Sequence, residues 1–427
     1  MVVMEALFVI SQLIDMIWVG KLGSTAIAGV GIANIVVMMI MAMDLGVITG
    51  VRAIIARHVG AGDIPGASRI AAQSILIGFT WGLLMMLLGL VIARPIMELM
   101  DLEAAVMSDA LRYMHIVLYG WPVVDGLLIC LYSMQSSGDT IRPMIIEGIM
   151  RIIHVSLCPL LVLGIWGFPR LEVGGAALSN VISQIIGFII VSFVLFSGRT
   201  RLRPKISDLR FQWRTIVRVF RIGIPALVMH LQRSIGNFLL TFLIAPFGTV
   251  PVAAHSLTSR VEMFVLMPGM AMGSGAGVLV GQNLGAHRPE RSEKSAWMAI
   301  LILQLFLVLA CGAVAFWAET VMKLFTDEPE LLQVGATFIR IASPGFFLMG
   351  FTAILQNCLA SAGDTVPNMI ISLIMLWIVQ LPLAWFLPGW TNLGVLGIRW
   401  AIVAANAAGS ILYVIYFRRG RWKLKKV

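Results

Sequence analysis

The sequence predicts an all-α integral membrane protein, with 12 transmembrane helices in two parallel-repeat six-helix lobes around a central cleft. Three observations carry this expectation. The chain is 59% hydrophobic and only 12% charged, whereas soluble domains run at about 45–50% apolar and about 25% charged. The apolar residues gather into runs of about 20, the length that crosses a ~30 Å hydrocarbon core. One segment in the first half of the chain returns 225 residues later.

Twelve runs can be marked in order, roughly 2–20, 26–50, 68–93, 109–135, 141–165, 174–197, 219–244, 252–280, 295–317, 333–360, 366–388 and 394–417. Residues 1–198 then form a first lobe and 199–218 a basic linker. A second lobe covers 219–417, and a basic tail covers 418–427. The net charge of +10 does not point to nucleic acid, because it falls between helices. Basic groups sit at Arg52, Arg57 and Arg69, from Arg199 to Arg221, at Arg288, Arg291 and Lys294, and from Arg418 to Lys426. Counting helices puts all of them on one side. The positive-inside rule makes that side cytoplasmic, with both termini there and lipid headgroups nearby. The protein is expected as a multi-pass monomer of the cell membrane. Cys130, Cys158, Cys311 and Cys358 all lie in apolar runs, so packing is expected of them rather than disulfides.

The repeat is specific. Ser136-Ser-Gly-Asp-Thr-Ile-Arg-Pro-Met-Ile-Ile146 returns as Ser361-Ala-Gly-Asp-Thr-Val-Pro-Asn-Met-Ile-Ile371. Gly23 and Gly248, Gly60-Ala61 and Gly285-Ala286, and Met97-x-Leu99 and Met322-x-Leu324 share the offset. Six helices is an even number, so both copies enter the membrane from the same side and form a parallel repeat. Such halves can rock about a cleft, which favours a carrier. Pro225 has its counterpart just before Met1, so the expectation is either that the natural start lies upstream or that the short amino terminus is real.

Several ordered motifs resemble the MATE (multidrug and toxic compound extrusion) transporters. They are Asp15-x-x-x-Val19-Gly20-x-Leu22-Gly23-x-x-Ala26-x-Ala28, Gly60-Ala61-Gly62, Gly138-Asp139-Thr140-x-x-Pro143 with Gly363-Asp364-Thr365, and Leu171-x-Val173-x-Gly175-Ala176-Ala177. The resemblance covers nearly the whole chain. It implies a two-lobed antiporter that exports amphipathic, often cationic, compounds in exchange for Na+ or H+.

Asp15 is the first candidate residue. A charge at membrane depth costs at least about 2.5–3.5 kcal/mol and marks function by default. Asp15 has no basic residue at i±3 or i±4. The alternative is an interfacial aspartate that reaches water. Many prokaryotic members of the family carry Asn-x-x-x-Asp-Pro in helix five, where this chain has His154-Val-Ser-Leu-Cys158-Pro159. The common threonine of helix six corresponds to Asn180. The resemblance therefore implies a cation-coupling site of Asp15, His154, Cys158 and Asn180. Sodium prefers oxygen ligands and histidine titrates near neutral pH, so H+ is expected over Na+, with Na+ at Asp15 the alternative.

Asp44, Asp125, Glu262, Arg260 and His255 are candidates for the substrate cleft. Alternatively, Asp44 and Asp125 would pair with His115, Arg112 or Arg151, and Glu262 with a nearby arginine. Glu147 and Arg151 are four apart and should pair with each other. Asp139 and Asp364 should accept backbone hydrogen bonds and start the next helices. No Walker motif, metal-ligand spacing or nucleophile motif is present, so neither an ATP-driven pump nor a cofactor is expected. Two rivals stand beside the exporter. A lipid-linked-precursor flippase would need arginines lining the cleft. A membrane-embedded enzyme would need convergent catalytic groups, hinted at only by Asp15 and His154.

Overall fold

A computed structural model describes residues 14–98 and 102–425. Most of the first expected helix and the end of the basic tail lie outside the described residues. The described residues are helical, with no strand among them. Inside hydrocarbon a backbone must satisfy its own hydrogen bonds, which a helix does within one segment.

The first helix, α1, is described over 14–20. It is followed by α2 (Ser24–Gly60), α3 (Ile64–Glu98), α4 (Ala104–Ser136), α5 (Ile141–Leu163) and α6 (Val173–Phe196). Next come α7 (Trp213–Ile244), α8 (Thr249–Gly285), α9 (Pro289–Phe316), the short α10 (Ala318–Lys323) and α11 (Pro329–Ser361). The chain closes with α12 (Thr365–Leu373), a π-helical stretch (Ile374–Gln380), α13 (Leu381–Trp390) and α14 (Val395–Arg418). Counting α12 through α13 as one continuous span, eleven helices among the described residues are long and apolar enough to cross a membrane. All four cysteines are buried and free.

The chain divides into two compact units, Met1–Gly223 and Ile224–Val427. In the first, α4 packs against α2, α3 and α6, and α5 packs against α6. Met85, Met114, Leu118, Trp121, Cys158 and Ala177 belong to the core so formed. In the second, α11 packs against α8, α9 and α14, around Leu303, Ile339, Phe346, Leu355 and Tyr413. The basic segment after α6 belongs to the first unit rather than bridging freely. Its Arg203 backbone N–H donates to Ser68 Oγ on α3 at 2.9 Å, and Leu202 is buried.

The duplication is written in the backbone. Gly23 (φ 111°, ψ 176°) and Gly248 (φ 104°, ψ 176°) turn the chain identically before α2 and α8. Gly138 and Gly363 both take positive φ after α4 and α11. The repeat also extends past the fifth helix, at an offset of 222. Glu172 (φ 53°, ψ −129°) is matched by Gly394 (φ 52°, ψ −132°) before α6 and α14. A shorter loop before α14 absorbs the three missing residues.

The two Gly-Asp-Thr turns differ. Asp139 accepts the Arg142 backbone N–H at 3.3 Å, as expected. Asp364 makes no capping bond. It accepts instead from the Tyr416 hydroxyl at 2.5 Å and meets Lys425 at 3.4 Å. The nearby tail offers it stronger partners than a backbone amide.

The φ and ψ of Gly248 fall in a region open essentially to glycine alone, and a side chain there costs of order 1–3 kcal/mol. Gly248→Ala should therefore lower stability by about that amount, read by thermal melting in detergent. An unchanged melting curve would refute the constraint.

Candidate functional site

The first unit encloses a cavity of about 340 Å³. Asp15 and Asn180 line it, as do Tyr113, Trp121, Met38 and Met41. Glu147, Arg151 and Gln135 line it as well. This volume lies at the small end of the range for ligand pockets, about 300–1,000 Å³.

His154 and Cys158 are four apart on α5, so they share one helix face. Both are buried. Pro159 follows and donates no backbone hydrogen bond, which loosens the helix at this turn. That face meets α1 at Asp15. His154 Nε2 lies 3.0 Å from Asp15 Oδ1, and the Cys158 thiol donates to the same oxygen at 3.4 Å. The carboxylate oxygen, imidazole nitrogen and thiol sulfur all lie within 4.8 Å of one another, close enough to share one small ion. The donor set holds a single hard oxygen group, which fits sodium poorly. Asn180 stays on the cavity wall, where its Oδ1 accepts from Gln184 Nε2 at 2.9 Å.

Tyr113 is a neighbour the sequence reading missed. It is 6% exposed, lines the cavity and lies within electrostatic reach of Asp15 and Cys158. The expected Glu147–Arg151 pair is formed at 2.5 Å. Arg151 therefore reaches the cavity with its charge already met by a carboxylate.

Asp44 and Asp125 are buried, at 2% and 3% exposure, and neither lines the cavity. Asp44 has no cationic partner of the kind expected from His115, Arg112 or Arg151. Its oxygens accept the indole N–H groups of Trp81 (3.0 Å) and Trp121 (3.1 Å). Buried indoles need an acceptor, and here one carboxyl serves two helices. Asp125 faces Gly82 on α3, where an added Cβ would stand 3.0 Å from Asp125 Oδ2 and 2.7 Å from Pro122 Cα. Only glycine lets the two helices close over this acid.

In the second unit, two of the candidates meet an arginine that went unnoticed. Arg399 on α14 is 2% exposed. Its Nη1 lies 2.8 Å from His255 Nδ1, and its guanidinium sits 5.2 Å over the Phe338 ring. Glu262 interacts electrostatically with Arg399 and Arg233, the arginine-partner arrangement. Arg260 is exposed. A charge inside the last apolar run was the available signal for Arg399.

Known proteins are similar over most of the chain. The family model MatE matches residues 1–160 and 225–386. The probable multidrug resistance protein NorM of Thermotoga maritima is 24% identical over 417 residues, covering 97% of this chain and 89% of that protein. The FAD transporter of Shewanella oneidensis is 26% identical over 376 residues, covering 87% and 82%. A solved structure of an outward-facing multidrug resistance MATE family transporter of the MOP superfamily superposes with a TM-score of 0.91. It is 22% identical and covers 100% of this chain and 95% of that one, a likeness of fold.

Asp44→Leu should destabilise the protein by about 1–3 kcal/mol, because buried indole N–H groups lose their acceptor. Adding Trp121→Phe should recover part of the loss, as read by denaturant titration in micelles. Strictly additive losses would show that the bond carries no such coupling.

Proposed function

This chain belongs to the MatE family, and on that premise we propose that it is a secondary active exporter of amphipathic cationic compounds, driven by inward H+ movement. Its relatives and structural neighbours are transporters, not enzymes. Multiple apolar helices make it a multi-pass membrane protein. In this reading both termini are cytoplasmic and Asp15, His154, Cys158 and Asn180 form the coupling site.

The 3.0 Å contact between Asp15 and His154 carries the proton reading. An acid and an imidazole in contact offer two places for one proton and little for a hard cation. Coupling needs ion and substrate to prefer different access states. A membrane potential adds about 2.3 kcal/mol per charge per 100 mV to inward proton movement.

The cavity wall supports the substrate class. Trp121 and Tyr113 supply aromatic rings of the kind that attract a cation, and Met38 and Met41 can repack around varied shapes. A precursor flippase would present arginine to a pyrophosphate. Here Arg151, the arginine on this wall, is held by Glu147.

Everted vesicles with an imposed pH gradient test the proposal. Asp15→Asn should cut gradient-driven transport of a cationic dye at least about tenfold, a change of roughly 1.4 kcal/mol in the coupled step. A Na+ gradient at zero pH gradient should drive none. Dye transport under that Na+ gradient would sink the proton reading. Equal transport by Asp15→Asn under the pH gradient would remove Asp15 from the coupling site.

A further inference from the structure

The second unit carries an open groove of about 670 Å³ between α8 and α9. We propose that this groove holds one anionic phospholipid, with its phosphate on Arg291 and Lys294 and an acyl chain along the valley below.

The groove has a polar head and an apolar body. Ala276 and Ala299 form its floor, and Leu279, Met298 and Ile302 stand along it. Those three flanking side chains are 52%, 49% and 52% exposed, far more than a packed interior would leave them. From Arg291 to Ile302 the helix rises about 16 Å, close to one leaflet of a ~30 Å hydrocarbon core. A phosphate at the arginine therefore leaves its chain in contact with apolar side chains throughout.

The two cations are available. No carboxylate pairs with Arg291 or Lys294 among the described residues. The neighbouring acid Glu293 is engaged by Lys423 at 2.5 Å, and Glu290 does not line the groove. Two unpaired cations at the mouth of an apolar valley complement a phosphodiester on a hydrocarbon chain.

The internal repeat supplies an independent argument. At the offset of 225, Gly275, Leu279 and Ile302 correspond to Gly50, Ile54 and Ile77. In the first half these positions are covered, with Ile54 and Ile77 at 1% and 2% exposure. The start of α7 lies against the first of them: a Cβ on Gly50 would stand 2.3 Å from the Val219 carbonyl oxygen. A Cβ on Gly275 would meet nothing within 4 Å. The duplicated helix pair therefore offers the same valley twice. In the first copy the start of α7 packs at Gly50, whereas the second copy is open at Gly275 and carries Arg291 and Lys294 at its head.

Native mass spectrometry of the full chain in detergent, titrated with phosphatidylglycerol or phosphatidylcholine, tests the assignment. The native protein should retain one phosphatidylglycerol about tenfold more strongly than phosphatidylcholine. Arg291→Gln with Lys294→Gln should abolish that preference. Met298→Trp, which adds bulk at an exposed flank, should weaken retention of both lipids. Equal retention of the two lipids by the native protein would overturn the proposal, as would undiminished retention in either variant. Displacement of the lipid by inorganic phosphate alone would reduce the site to a free-anion site. Disulfide-linked dimers through Ile302→Cys would assign the groove to a second copy. These readouts need no transport, so they stand apart from the vesicle experiment.

Discussion

Hydrocarbon gives polar groups no water, and the rest of the structure follows from that constraint. Backbone groups meet it by forming helices. Side-chain charges meet it one at a time, and several of the buried ionisable residues have a specific answer. Asp15 touches His154, Asp44 takes two indoles, Glu147 takes Arg151, and Arg399 takes His255. A polar group in a core is costly unless hydrogen-bonded. The answers are therefore selective, and they fix which helix faces meet. Asp44 ties α2 to both α3 and α4, while Asp15 ties α1 to α5.

Much of this was legible in the sequence, for physical reasons. Helix number and order follow from apolar run length, and pairs such as Glu147–Arg151 follow from helical spacing. The duplication was visible at glycines such as Gly23 and Gly248, because their φ and ψ exclude other residues. Contacts between distant helices were harder. Nothing local to Asp44 reveals that Trp81 and Trp121 lie across from it, 37 and 77 residues away. The search was for cations, and an indole N–H is a neutral donor. The same limit hid Arg399, whose partner His255 is 144 residues distant. The offset of 222 was legible in Leu171-x-Val173-x-Gly175 and Leu393-x-Val395-x-Gly397, but the shorter loop before α14 puts it out of step with the 225 of the earlier landmarks.

The repeat separates what duplication preserved from what it left free to change. Backbone turns persist even where residues differ. Gly62 (φ 78°) has as its counterpart His287 (φ 56°), a residue that takes the left-handed conformation without glycine's freedom. Side-chain chemistry has diverged further. Asp15 corresponds to Leu240, which is buried in an apolar cluster. The α5 turn bearing His154 corresponds at 225 to the π-helical stretch Ile374–Gln380 in the second half. That stretch carries no histidine or acid. The second half keeps its charges elsewhere, on α8 and α14 around Arg399.

This divergence bears on how a transporter of this kind can couple ion to substrate. Coupling needs the ion to prefer one access state over the other, because equal affinity for both states shifts no equilibrium however tight the binding. Here the acid-imidazole-thiol cluster lies in one unit and borders that unit's cavity. Asp15 serves both: one side of its carboxyl meets His154 and Cys158, while the residue also lines the cavity wall. A proton arriving between Asp15 and His154 changes the charge presented to whatever occupies the cavity. Competition between proton and cationic substrate, as proposed above, then needs no long pathway through the protein. In the proposed reading it arises from one carboxyl shared by two ligands, and antiport further requires that the two ligands prefer different access states.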